Sequence, residues 1–281
     1  MNTETSRLRP WADLVFHVLA HVPARRPVPA SVHDPVYTAF VRDHLGPATD
    51  RHLGDDASAL SALVSTHDAL VAVQWLAWLF PSVEAAFGVA ELEIAQLPAE
   101  STAEPKLIPR LLKHRQAAEL LWASVLLEAE WHARLPEVHL SLPELDQALS
   151  SAAAVAPRLA DCTVAFVRAL RLHGRVRSHE IWVGAPLPAL RLGIEHVVWQ
   201  ACHEATVLEV NEAAARTGIE LGHGPSEHAA VVLLAERAKR HRQAAQHASW
   251  LAHFGANAPP TDRSALDSAA LLMVVQLAEG R

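Results

Sequence analysis

Apolar residues recur along most of this chain at helical spacing, and in one stretch they surround the helix. Residues 193–217 read GIEHVVWQACHEATVLEVNEAAART. At about 100° per residue they bring His196, Trp199, Gln200, His203, Val207 and Val210 into one sector, with Glu204 about a quarter turn from His203. Val197, Val198, Ala201, Cys202, Ala205 and Leu208 fill the other sides. A helix that is apolar all round is a buried one. Imidazoles and carboxylates carried into an interior need hydrogen-bond partners, opposite charges or a metal. This stretch is therefore expected to organise the fold and to hold its chemistry.

The same pattern predicts a first helix from Pro10, in WADLVFHVLAH, where Asp13, His17 and His21 recur every fourth residue and stack along one stripe. The proline-rich segment 22–31 reads as a loop. A helix follows at 35–45, with Ser31 or Asp34 as its cap and Pro35 in its first turn. One long helix is expected from Ala57 to Phe80, a shorter one over 83–94, and a linker over 96–109. Arg110–Leu135 predicts another long helix, in which Glu128 and His132 share a face. Residues 145–172 predict one or two alanine-rich scaffold helices. Residues 175–183, RVRSHEIWV, are the one stretch with strand-like alternation. After 193–217 come a helix over 227–254, with His241 and His247 expected at the surface, and a last apolar helix, ALDSAALLMVVQLA, capped by Asp262 or Ser264.

The fold class expected is all-α, an irregular multi-helix array with at most one short β-ribbon near 175–183. The chain reads as a single helical domain over 1–281, with a subdivision into 1–97 and 107–281 as the alternative.

Composition narrows the function classes. Hydrophobic residues make up 51% and charged residues 20%, ordinary globular usage, so bulk disorder is not expected. A net charge of -7 argues against a general nucleic-acid binder, which needs a basic surface to meet phosphates. The 18 histidines against 24 Lys plus Arg are unusual. Half-protonation of all of them would bring the net charge to roughly +2 near pH 6.5. Cys162 and Cys202 lack CxxC spacing, which rules out a disulfide framework or a cysteine zinc finger. The apolar runs are too short to span a bilayer, and Asp13, His17 and His21 interrupt any signal-peptide core, so a cytoplasmic location is expected.

The candidate chemistry centres on histidine and glutamate. HEATV at 203–207 starts like the helical zinc signature, but Val207 occupies the second histidine position, so that motif is broken. A site remains conceivable with His203 and His196 joined by His17 and His21 of the first helix as metal ligands, and with Glu204 as ligand or general base. Zinc suits hydrolysis, because a metal-bound water of lowered pKa is a nucleophile whose proton Glu204 can take. Iron is the other metal that helical His and carboxylate sites hold, although the paired Glu-x-x-His motif is missing. The expected function is a metal-dependent enzyme, hydrolase before oxygenase, acting on a small molecule or peptide. The alternatives are a helical scaffold or partner-binding protein, with the C-terminal helix as a homo-oligomer contact, and a histidine-rich module responsive to pH or ligand.

Overall fold

A computed structural model describes residues 7–23, 32–51, 53–88, 107–138, 142–255, 258–262, 266 and 269–279. The chain divides into two compact units. One, called here the N-terminal unit, comprises Leu8–Val138 and Phe166–Arg171. The other, the C-terminal unit, comprises Arg7 and the described parts of 139–165 and 172–281. The linker expected over 96–109 lies, up to residue 106, outside the described residues.

The N-terminal unit holds α1 (Pro10–Ala20), α2 (Pro35–Leu45), α3 (Leu53–Leu63), α4 (His67–Gln74), α5 (Val83–Phe87), α6 (Leu107–Lys113) and α7 (Arg115–His132). Every residue of α1 from Trp11 to Ala20 is buried, which makes this helix the centre of the unit. It packs on α7, on the 3-10 turn Trp75–Trp78 and on a second such turn at Arg168–Leu170. The Trp11 indole donates to the Leu76 carbonyl at 2.7 Å, and its ring meets Phe80 and Trp122, both with centroids 5.4 Å away. The polar end of this indole is thus satisfied while its body fills the core.

The expected Ala57–Phe80 helix is instead three pieces. The Thr66 hydroxyl accepts from the Ala69 N–H at 3.2 Å and restarts the helix as α4, as an N-cap does. Trp75–Trp78 then tightens into 3-10 form. The long helix expected from Arg110 is interrupted at His114, between α6 and α7. Asp34 caps α2, accepting from the N–H groups of Val36 and Tyr37, with Pro35 in the first turn.

The C-terminal unit opens with α8 (Leu142–Ala152) and a 3-10 turn at Pro157–Asp161. A three-stranded sheet follows, of β1 (Thr163–Phe166), β2 (Gly174–Arg177) and β3 (Glu180–Val183), in the order β1-β3-β2. β2 and β3 form an antiparallel hairpin pairing Gly174 with Val183 and Arg177 with Glu180. Its two-residue turn places Ser178 at φ +52°. The ribbon foreseen at 175–183 is this hairpin. β1 and the 3-10 turn replace part of the expected 145–172 helices, because Pro157 closes the helical register and Thr163–Phe166 is β-branched and aromatic. The fold is therefore mostly α with a small sheet.

α9 (Ile194–Thr217) is the axis of this unit. Against it lie α8, β2, β3, α10 (His223–Arg240), α11 (Ala244–Ala252) and α12 (Ala269–Ala278). Gly218, left-handed at φ +71°, ends α9, and the Ile219 N–H returns to the Ala214 carbonyl. Val207 and Val210 of α9 meet Val232 and Leu233 of α10 and Leu271, Val274 and Val275 of α12 in one apolar cluster. The inner face of the last helix is thus spent within the unit. The helix expected over 227–254 is two helices, broken at 241–243, where Arg242 turns left-handed at φ +60°. Among the described residues no helix is long and apolar enough to cross a membrane.

Candidate functional site

Each unit buries a polar cluster, and the two differ in how their charges are matched. In the N-terminal unit the stripe of α1 faces inward. Asp13, His17 and Glu128 are each 0% exposed. Asp13 Oδ2 accepts from Arg168 Nε at 2.7 Å and lies 2.9 Å from His132 Nε2, while Asp13 Oδ1 accepts the Arg168 backbone N–H. Burial pushes the Asp13 carboxyl up, but the Arg168 charge and the His132 contact outweigh it and hold it at about 2. Glu128 Oε1 accepts from the Arg51 guanidinium and lies 3.3 Å from His17 Nε2. His17 Nδ1 is 2.9 Å from the Tyr37 hydroxyl. Burial, followed by the positive surroundings of His132, His21 and Arg51, pushes the His17 imidazole well below its ordinary pKa, so it is neutral. The contacts fit a ring that donates from Nε2 to Glu128 and accepts the Tyr37 proton at Nδ1. His21 directs Nδ1 to the His17 carbonyl at 2.8 Å and Nε2 toward Arg51, and burial depresses its pKa to about 4.

Two carboxylates are therefore closed against two guanidiniums, with neutral rings filling the remaining positions. Such a cluster stays put. Removing one partner of a buried pair costs about 3–5 kcal/mol, because it strands the other charge. His17 and His21, predicted as metal ligands, spend their ring nitrogens on these neighbours.

The cluster of the C-terminal unit is built on α9. Glu204, 3% exposed, accepts at Oε1 from Gln200 Nε2, one turn earlier on the same helix, at 2.9 Å. Its carboxyl lies so close to the start of β2 that a Cβ on Gly174 would collide with Oε1 and Cγ. Only a residue without a side chain leaves room for this carboxyl. His203 is buried and its Nε2 is 2.5 Å from Glu227 Oε2, in the first turns of α10, where the Glu227 side chain is 30% exposed. Burial pushes the His203 imidazole down, but Glu227 and then Glu204 outweigh it and raise its pKa, favouring the imidazolium. Burial, followed by the charge of Glu227, raises the Glu204 carboxyl to about 7 against the opposing pull of His203, Arg175 and Gln200. A buried carboxyl is thus poised at neutrality beside a histidine–carboxylate pair that reaches solvent.

Behind His203 stands an aromatic and imidazole layer shared with α11. The His203 ring lies 5.5 Å from Trp250, His247 lies 5.5 Å from Trp250 and 5.3 Å from Trp199, and His196 lies 4.8 Å from His253. His247, expected at the surface, is buried instead, and burial with the nearby His203 charge pulls its pKa to about 4. Its position follows from the break at 241–243, which turns α11 back onto α9. Cys202 is inert, since burial pushes its thiol to about 12.

Of the residues singled out from sequence, His196, His203 and Glu204 fall in the C-terminal unit and His17 and His21 in the N-terminal unit. Glu128 and His132, read as a pair, turn to different partners. Among the described residues no three His, Cys, Asp or Glu side chains are grouped to hold a metal ion. Sequence reasoning missed Arg51, Arg168, Tyr37, Glu227 and Gly174. One signal was present for the two arginines, since a buried acid in an apolar helix demands a counter-cation, but no spacing identifies which. No family model, curated protein or solved structure matches the chain.

Proposed function

We propose that the protein is an enzyme whose C-terminal unit carries a general acid–base site, with Glu204 as the base and His203, held by Glu227, as the acid, and that its reaction is the hydrolysis of a small molecule or peptide. The observation that carries this reading is the buried Glu204 carboxyl, wedged against Gly174 and hydrogen-bonded to Gln200. A carboxyl poised near 7 is present in both forms at neutral pH, so it takes a proton from water and returns it within one cycle. His203 supplies a second, oppositely charged proton carrier one residue away, and Glu227 connects it to solvent.

A zinc or iron ion, expected from sequence, would add a bound water of lowered pKa. The acid–base reading routes no step through it, because His17 is fully engaged with Tyr37 and Glu128. A homo-oligomer through α12 would use its outer side, where Met273 is exposed.

The test is turnover of nitrophenyl esters, nitrophenyl phosphate and unstructured peptides by the parent and by Glu204→Gln. The expected result is hydrolysis of one of these classes that falls about 10²–10⁴-fold in the variant while helical content is retained. Equal turnover by both proteins contradicts the assignment of the base. Elemental analysis of the same preparations decides the metal: stoichiometric zinc or iron lost in His203→Ala restores the metal-dependent form of the reading.

A further inference from the structure

Two buried donors of the α9–α11 layer carry the reading further. Trp250 is almost fully buried, its indole Nε1–H is its only polar group, and that group has no hydrogen-bond acceptor among the described residues. His203 uses Nε2 on Glu227, while its other nitrogen, Nδ1, is buried with no partner among the described residues. The two rings are direct neighbours, centroids 5.5 Å apart and tilted by 38°. A third orphan, His247 Nε2, lies on the ring that packs against both Trp199 and Trp250. Buried polar groups are nearly always bonded, so three unpartnered nitrogens in one aromatic layer mark a place where a partner is supplied from outside the chain.

We infer that Trp250 Nε1–H and His203 Nδ1–H are a donor pair for the oxygen of a ligand carbonyl or carboxylate, which makes the substrate class an acyl compound. The chemistry of the donors selects this class. An indole only donates, and a histidine whose Nε2 faces a carboxylate presents Nδ1 as a second donor when protonated, so the missing partner is an acceptor and not a cation. Two donors on one carbonyl oxygen also polarise it, and they strengthen as negative charge develops there during attack by water. The layer is aromatic on its other sides, through Trp199 and Phe254, which suits the apolar body of an acyl group. That the bound acyl compound is a substrate rests on the acid–base reading of Glu204. The donor pair stands on the orphan nitrogens together with the contact to Glu227, which favours the doubly protonated His203 ring.

The experiment is a titration of the ¹⁵N-labelled full chain with acetate and, separately, with N-methylacetamide. Indole Nε1–H resonances are followed, and Trp250 is assigned among the eight tryptophans from its loss in Trp250→Phe. The expected result is a saturable shift of the Trp250 Nε1–H with at least one probe, and binding weakened about tenfold in Trp250→Phe, the loss of one hydrogen bond. A Trp250 resonance that stays fixed in the parent protein overturns the donor pair without relying on any variant. Glu204→Gln separates the two claims. Loss of turnover with a silent Trp250 leaves the base assigned and removes the donor pair, whereas a shifting Trp250 with undiminished turnover does the reverse.

Discussion

The two buried clusters use the same side chains to opposite ends. Around α1, Asp13 and Glu128 are each closed by an arginine, and the histidines beside them are held neutral. Around α9, Glu204 has a glutamine as its hydrogen-bond partner, and the histidine beside it is drawn toward the charged form by a second glutamate. Burial lifts both Asp13 and Glu204, but the Arg168 charge and the His132 contact reverse it for Asp13, and a like charge reinforces it for Glu204. Direct pairing to arginine makes a fixed strut in one unit; in the other, His203 and Arg175 pull on Glu204 but do not outweigh burial and the Glu227 charge, and the result is a proton exchanger. Asp13 and Glu204 are both buried, so burial by itself does not tell them apart.

The largest expected effect comes from unmatching the strut. Arg168→Met leaves the Asp13 carboxylate buried with His132 and the backbone N–H of residue 168 but without its guanidinium, and should lower unfolding free energy by about 3–5 kcal/mol in urea titrations at pH 7. A loss below ~1 kcal/mol, the range of exposed pairs, would make the cluster an accessory rather than a strut.

Glu204 provides the next largest effect, with the sign worked out from linkage. Its folded pKa of about 7 lies above the ordinary 4.5. The protonated form is therefore favoured by folding, and the associated stability is complete below pH 4.5 and is lost as pH rises through 7. The shift corresponds to ~3 kcal/mol across that window. Glu204→Gln keeps the shape without the charge, so its stability relative to the parent should rise between pH 5 and 8. A difference that stays flat with pH would place Glu204 in a matched environment like that of Asp13. Asp13 itself behaves in the opposite sense. Its depressed pKa gives stability that is present above 3.8 and is lost as pH falls through about 2.

The smallest effect sharpens the geometry. Gly174→Ala puts a methyl group where the Glu204 carboxyl sits, and should cost about 1–3 kcal/mol as the side chain is displaced. It should also cut turnover along with Glu204→Gln, whereas alanine at Gly193, the N-cap of α9, where the space is open, should leave turnover unchanged.

Much of the fold was legible because helical periodicity is a local signal. α1, α2 and α9 begin and end close to where Pro10, Asp34–Pro35 and Gly193–Gly218 punctuate the pattern. The internal breaks were not legible. Thr66 is an ordinary polar residue until its hydroxyl finds the Ala69 N–H, and the turn at 241–243 lies in a run of basic and glutamine residues that suits a helix equally well. The site was half legible. His203 and Glu204 stand out as ionisable residues in an apolar helix, which is an argument about burial and needs only one element. Their partners come from distant parts of the chain: Glu227 reads as an acid favouring a helix N-terminus, Gly174 as a strand-end glycine, and His247 as one histidine among many in a basic segment. The stripe Asp13, His17, His21 was correctly seen as one face. That it closes on Arg51 and Arg168 depends on contacts 34 positions from His17 and 155 positions from Asp13, which no local pattern encodes.

The most direct test of the contrast between the clusters is a ¹³C NMR titration of the glutamate side-chain carboxyls, with the Glu204 signal assigned by its absence in Glu204→Gln. A midpoint near pH 7 for Glu204, well above the ordinary glutamate range, is the expected result. A Glu204 that titrates near 4.5 would mean that its charge is matched after all, and the C-terminal cluster would then be a second strut rather than a site.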